Sequence, residues 1–536
     1  MSIANRLFFL IICISFVITG CQKTQTPLKK LSDSQHCLQL NIQSEPQSLD
    51  PRKVRSLNDV NLIKMFMEGL SRTDREGNIA LALAKKLDIS SDRTTYTFTL
   101  RDAKWSNGDP ITSFDFAYAW TTSLSPDFNS PSADLLYVIK HAQAIKQKKL
   151  PSSLLGIQTP DAKTLTIQLT RPIPYFLELI QHPIFFPIPH KIAKLNSRWA
   201  NEKDSYIVNG PFQMKAWKHE HMIEAIKNIH YWDAKAVRLA GIKMVMVSEQ
   251  TALKMFETAQ LQWEGSPFSA IPLDELEALQ EKHQLQISPA LATAWIRVNT
   301  ARCPFDSKII RRAFGLAINR QDIVKHLTRG SQIPATGIVP TSLRPDHTPY
   351  FEDGDVSQAH VLLEEALQIK GITKEALPEI TLTFAATEKN NRLAQLLQQQ
   401  WEQAFGIRIK LEPLENKVFF SRINKQDYML SIGSWFADFG DPINFLEVFE
   451  TKQRGTNNTN WENPRYKQLL ENSYLCQDPQ ERFHLLHESE ALLMEEMPTM
   501  PLYHYTFLYV KNNRLKDVIL TKTGYIDFKW AHLDND

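Results

Sequence analysis

Two stretches of this chain alternate polar and apolar residues with a period of two. Residues 94–100 read TTYTFTL, with Tyr96, Phe98 and Leu100 set between threonines, and residues 163–170 place Leu165, Ile167 and Leu169 in the same way. Successive side chains of a strand point to opposite faces, so both stretches predict half-buried strands. The helical period of 3.6 appears instead at 59–70, 114–123, 307–327, 357–368, 391–405 and 480–494. Several of these open on Ser, Asp or Asn, which can cap the unpaired N–H groups of a first turn. Residues 307–320 collect Ile309, Ile310, Phe314, Ala317 and Ile318 on one face and basic residues on the other, the pattern of a packed helix with a solvated side. No repeat of 20–50 residues is visible, so the chain is predicted to be mixed α/β and not a solenoid. Proline-rich stretches at 171–174, 182–189, 288–293 and 498–501 read as hinges or linkers, spaced as if the chain leaves one lobe and later returns to it. A length of 536 residues predicts three or four domain-sized units.

The longest apolar run stands at the start. Arg6 is followed by Leu7 to Ile18, interrupted only by Cys13 and Ser15, and then by Thr19-Gly20-Cys21. A bilayer core needs about 20 apolar residues, so a run of this length fits the hydrophobic region of a signal peptide and not a membrane span. The I-T-G-C ending resembles a bacterial lipobox, which implies removal of residues 1–20 and lipidation of Cys21 as the new N-terminus. The polar segment QKTQTPLKKLSDSQ behind it reads as a flexible tether. The expected mature protein is soluble and held to a membrane by its lipid.

Composition narrows the function. With 61 Lys+Arg against 59 Asp+Glu there is no concentrated basic surface of the kind phosphate backbones require, so nucleic acid is not an expected partner. Hydrophobic residues at 43% and charged residues at 22% are those of a folded chain. After removal of the leader, Cys37, Cys303 and Cys476 remain beside Cys21, an odd number without metal or redox spacing. The G-x-S-x-G elbow, the G-x-x-x-x-G-K-[ST] loop, H-E-x-x-H and G-x-G-x-x-G are all missing from the sequence, and no catalytic residue is predicted. His219, His221 and Glu224 alternate as strand-borne metal ligands could, but K-H-E-H-M-I-E-A reads more simply as a hairpin turn, so neither metal nor cofactor is expected. The acid pairs Asp353/Asp355 and Glu495/Glu496 read as solvated surface. Trp401, Trp435, Tyr503 and Tyr505 fit a core as well as a pocket. Asp438 is different, because it stands in G-S-W-F-A-D-F-G-D-P among aromatic and small residues. A carboxylate there needs a cation or several donors, which a ligand ammonium in an aromatic-lined cleft would supply.

These residues carry a family likeness. S-E-P-Q-S-L-D-P (44–51), M-E-G-L (67–70), F-T-L-R-D-A-K-W-S-N-G-D-P-I-T-S-F-D-F-A-Y-A-W (98–120), N-G-P-F-Q-M-K-A-W (209–217) with Y-W-D (231–233), P-F-D-S-K-I-I-R-R-A-F-G-L-A-I-N-R (304–320) and W-F-A-D-F-G-D-P (435–442) follow in order. Together they resemble the peptide/nickel class of ABC-transporter solute-binding proteins, closest to the oligopeptide-binding members. The resemblance implies an α/β, two-lobed periplasmic-binding-protein clamp with an additional α/β subdomain, connected by hinges. Residues 22–67, 191–291 and 506–536 would build lobe I, 68–190 the extra subdomain and 292–505 lobe II. It further implies a lipid-anchored monomer in the bacterial periplasm or at the cell surface that binds an oligopeptide and delivers it to an ABC permease with separate ATPase subunits. By carry-over Asp438 pairs with the peptide's α-ammonium, Trp401 and Trp435 line the pocket, and Trp295 and Tyr505 fall at cleft-lining positions.

The chain also departs from the family pattern. Related members bridge the segment near Ala292 to the position of Phe436 with a cysteine pair, and neither residue is Cys here; an acidic residue that follows their SLDP string is replaced near Arg55. Where they carry an arginine shortly before W-x-A-D this chain has Ser431-Ile432-Gly433, so the ligand's carboxylate end is expected to be loosely held, with Arg422 and Lys425 as substitute cations. Cell-wall peptide, nickel chelate or haem are alternative ligands on the same fold, and a peptide-processing enzyme or folding helper is the alternative of another class. The leader makes a prediction of its own: Cys21→Ala should move the protein from the membrane to the soluble fraction of labelled cells, and retention of a processed mutant on the membrane would put the anchor elsewhere.

Overall fold

The computed structural model describes residues 36–534 apart from 55, 330, 345, 347, 453 and 454. The leader at 1–20, Cys21, the tether and Arg55 lie outside the described residues. No helix among the described residues is long and apolar enough to cross a membrane.

The alternating stretches form strands Thr95–Leu100 and Thr164–Gln168, the inner pair of a four-stranded antiparallel sheet flanked by Ala84–Ile89 and Ile157–Gln158. Tyr96 lies opposite Ile167 and Phe98 opposite Leu165, so one face of the pair is continuous and apolar and packs inward. A larger sheet holds eleven strands among the described residues. From one edge its order runs Lys410–Leu414, Thr381–Ala385, Leu430–Phe436, Gln286–Val298, Thr499–Lys511, Trp263–Gly265, Cys37–Asn41, Gly241–Val245, Met222–Lys227 and Phe212–Lys218, with Ile333–Pro334 paired onto Thr499–Lys511. Gln286–Val298 and Thr499–Lys511 have 13 residues each and carry the sheet from one half to the other. The prolines at 288–293 and 498–501, expected in linkers, fall in or beside these two strands. Proline cannot donate to a ladder, and the pairing slips between Pro289 and Thr293 and again between Ala294 and Trp295.

Distant segments are tied by polar side chains. The Asn61 amide donates to the Gly524 carbonyl at 2.9 Å and accepts from Ile526 N–H at 2.9 Å. Arg72 pairs with both Glu68 and Asp527, and Glu68 also accepts from Trp232 Nε1 at 2.6 Å. These bonds join the chain near 61–72 to its last strands.

The predicted helix at 307–327 is two helices, Lys308–Leu316 and Arg320–Leu327. Asn319 breaks it, because its side chain accepts from Asp322 N–H and caps the second helix. The basic side of this region is not all solvated. Arg311 donates to the Glu496 carbonyl at 2.8 Å and to the Phe305 carbonyl at 2.9 Å. Arg320 is 0% exposed and donates to the carbonyls of Pro501 (2.7 Å), Ile318 (2.9 Å) and Gly315 (3.0 Å) and to Asp353 (3.0 Å). Three of the paired acids are likewise structural: Asp353 holds Arg320, Asp355 caps Val356–Lys370, and Glu496 accepts from Trp461 and Asn463, while Glu495 is exposed beside Lys308. His219 follows strand Phe212–Lys218 at a hairpin turn and pairs with Glu45 and Glu202.

Arg320→Met should leave three carbonyls and a carboxylate without their donor and destabilise the fold by about 3–5 kcal/mol. Arg392→Met, which removes a surface pair with Glu388, should cost less than about 1 kcal/mol. Thermal unfolding of the two variants checks the difference, and equal midpoints would refute the structural role of Arg320.

Candidate functional site

Strand Leu430–Phe436 has a neighbour on one side along its whole length and on the other only at its start. It pairs antiparallel with Gln286–Val298 from Val298↔Leu430 to Ala292↔Phe436, and parallel with Thr381–Ala385 only at Leu430 and Ser431. Asn299 N–H bonds to Met429 and Ala437 N–H to Leu291, so the odd-numbered residues between them turn their backbone groups toward Gln286–Val298. The even-numbered residues face away. Ser434 and Phe436 therefore offer N–H and C=O groups at an edge with no strand beside it among the described residues, and such an edge is a template for an added strand.

This edge runs into a cavity of about 570 Å³. Trp435, Asp438 and Glu447 line it from one side, and Asp134, Tyr137 and Tyr175 from the other. The Trp435 indole N–H donates to Asn444 Oδ1 at 2.9 Å, and Asp438 N–H donates to the same oxygen at 3.3 Å, which fixes the turn after the strand. The turn is also gripped from outside. Tyr175 stacks on Phe439 at 4.0 Å with planes 5° apart, Gly440 N–H donates to Glu178 at 2.6 Å, and the Tyr525 hydroxyl donates to the Asp438 carbonyl at 3.0 Å.

Asp438 is the electrostatic centre of the cavity. Its carboxyl, on a half-buried residue, is pushed up to about 7, chiefly by loss of hydration, then by the nearby charges of Asp134 and Glu447, with a hydrogen bond from Asn444 opposing the shift. Arg171 is the one cation lining the cavity among the described residues, and its guanidinium lies 3.4 Å above the Tyr474 ring. Asp438 has no cation within ion-pair distance among the described residues. The cavity thus presents a carboxyl that no cation among the described residues pairs with.

The structure brings Asp438 and Trp435 together at the cavity. Trp295 shares the Trp435 face of the sheet, is 2% exposed and packs edge-on against Phe449 at 5.8 Å. Tyr505 lies on the opposite face with Phe436, ring centroids 4.9 Å apart. Trp401 is not brought to the cavity: it is 0% exposed, packs on Phe314 and donates to the Phe314 carbonyl at 2.9 Å, which makes it a core side chain. Nor is Arg422, whose guanidinium pairs with Glu412 (2.9 Å) and Asp427 (3.2 Å); Lys425 is exposed at the end of helix Asn416–Asn424. Sequence reasoning passed over Asp134 and Glu447, which stand in ordinary polar-apolar stretches, and Lys389, whose ammonium lies 5.0 Å from the Tyr505 ring. Ala292 and Phe436 are direct cross-strand partners.

Residues 78–457 match the family described as bacterial extracellular solute-binding proteins, family 5. The oligopeptide-binding protein OppA of Bacillus subtilis is 38% identical over 511 residues, covering 94% of each chain. Among solved structures, Haemophilus influenzae OppA in complex with the peptide RPPGFSPFR superposes with TM-score 0.76 at 25% identity, over 94% of this chain and 99% of that one. Listeria monocytogenes OppA bound to peptide gives 0.75 at 27%, over 94% and 99%. The fold is accordingly that of the two-lobed α/β clamp, and the protein binds solute and is not an enzyme. The chain belongs to family 5 of the bacterial extracellular solute-binding proteins.

Proposed function

We propose that this chain captures peptides in extended form, with the peptide's α-ammonium on Asp438 and its first side chain beside Trp435 and Tyr175. The observation that carries this reading is the open strand edge at Ser434 and Phe436 leading to a carboxyl without a cation. All peptides share backbone donors and acceptors, so an added strand recognises them without regard to sequence, and a terminal ammonium supplies the positive partner that Asp438 lacks among the described residues. Water in a cavity of this size can absorb differences between side chains. The names of the relatives, oligopeptide- and dipeptide-binding proteins, agree with this ligand class. In this reading lipidated Cys21 tethers a monomer at the periplasmic or outer face of a membrane, and the peptide passes to an ABC permease driven by separate ATPase chains. Tyr505 and Trp295 border the cleft from the two faces of the sheet.

Removing one member of a desolvated ion pair costs about 3–5 kcal/mol. Asp438→Asn should therefore weaken peptide binding by two or more orders of magnitude without loss of folding, and N-acetylated peptides should bind the native protein as poorly. Calorimetry that gave equal affinity for free and acetylated peptides would refute the ammonium site.

Protonation gives a second test. The unliganded Asp438 carboxyl titrates at about 7, and a bound ammonium would hold it ionised to lower pH. Binding then requires a proton to leave, so affinity falls as pH drops through 7, by nearly tenfold per unit. A peptide amine loses its own proton above about 8. Affinity should peak between these values and be roughly 30- to 100-fold weaker at pH 5, while the weak binding of Asp438→Asn should change little over the same range. An acid-side profile identical in the two proteins would assign the titration to another group.

A further inference from the structure

The open strand edge carries a second charged group, opposite in sign to Asp438. Arg297 lies across from Ser431, and residues 431, 433 and 435 share its face of the sheet. Position 433 is glycine, and a Cβ there would collide with the Arg297 guanidinium. The guanidinium thus lies over residue 433, reaches past it, and donates through Nη1 to the Ile432 carbonyl at 3.1 Å. Ile432 is even-numbered, so that carbonyl faces the open edge. Arg52 is matched to Asp50, Arg72 to Glu68 and Asp527, and Arg482 to Asp441, whereas buried Arg311 is held by carbonyls. Arg297 has no carboxylate within 4 Å among the described residues, and burial lowers its pKa with only Tyr428 opposing. A guanidinium carries five N–H donors in a fork suited to a carboxylate, and one of them is bonded here.

We infer that Arg297 anchors the terminal carboxylate of the bound peptide, and that its separation from Asp438 along the open edge sets the preferred peptide length. The inference rests on the peptide-binding reading above. From Ile432 to Phe436 a strand advances about 13 Å, with Asp438 just beyond. A peptide with its ammonium on Asp438 runs antiparallel to this strand and brings its carboxylate to Arg297 after about four or five residues. This replaces the expectation of a loosely held carboxylate. Neither Arg422, bound to two acids, nor exposed Lys425 is needed. Lys389 is the other cation near this edge, but it lies over Tyr503 and Tyr505 on the opposite face of the sheet.

Calorimetry on the full chain with alanine peptides of three to six residues, each with free, N-acetylated or C-amidated ends, tests this. At the matched length amidation should weaken binding tenfold or more. In Arg297→Gln the amidation penalty should fall below twofold while the acetylation penalty persists. Gly433→Ala, which displaces the guanidinium without removing it, should shrink the penalty too, and Lys389→Met should keep it. An amidation penalty below twofold at every length in the native protein overturns the inference and leaves Asp438 as the ammonium site. So does a penalty unchanged in Arg297→Gln, or one lost in Lys389→Met. If acetylation also costs nothing, the peptide-binding reading itself fails and this inference with it.

Discussion

Asp438 faces a cavity whose other acids repel it and whose lining arginine is turned to a tyrosine ring, so its ionised form is costly. The surrounding bonds hold that position in place. Asn444 accepts from both Trp435 and the Asp438 backbone and so fixes the carboxyl at the end of a strand whose outer edge is open. A carboxyl left unmatched among the described residues is, in the proposed binding mode, available to a cation.

The parts of this arrangement that depend on local pattern were legible in the sequence. Thr95–Leu100 and Thr164–Gln168 followed from alternation, and helix Glu388–Phe405 from its period, because burial of one face dictates the spacing of apolar residues. Asp438 was legible because a carboxylate among aromatic and small residues needs a partner that the local sequence does not offer. Trp401 shows the limit of that reasoning. A tryptophan in a helical period packs into a core or lines a pocket with the same neighbours in sequence, and only the position of Phe314 decides. Asn319 was a hidden boundary for a similar reason, since an asparagine caps a helix only where the preceding turn has already ended.

Arg297 was invisible for a different reason. In A-T-A-W-I-R-V-N it reads as one polar residue on a strand, and its meaning comes from Gly433, 136 residues later, which is opposite Trp295 and leaves room for the guanidinium. Cross-strand relations of this kind leave no periodic trace, because the two residues are coupled by register and not by spacing.

The grip on residues 438–440 links charge to closure. Tyr175 and Glu178 reach this turn from the segment that follows the four-stranded sheet, and Tyr525 from the chain's last segment, so one short turn takes contacts from both. Opening the cavity to admit a solute has to separate some of these contacts, and remaking them encloses the Asp438 carboxyl again. Enclosing an unmatched carboxylate is unfavourable, whereas enclosing a carboxylate–ammonium pair strengthens their attraction as water leaves. A solute without a positive end can fill the volume yet leaves closure opposed by the buried charge. A ligand shifts a conformational equilibrium only by its difference in affinity for the two states, and in the proposed binding mode that difference is concentrated on the ammonium. With the ammonium on Asp438 as proposed, selection for peptides with a free amino end and the drive to close are one electrostatic event at one residue.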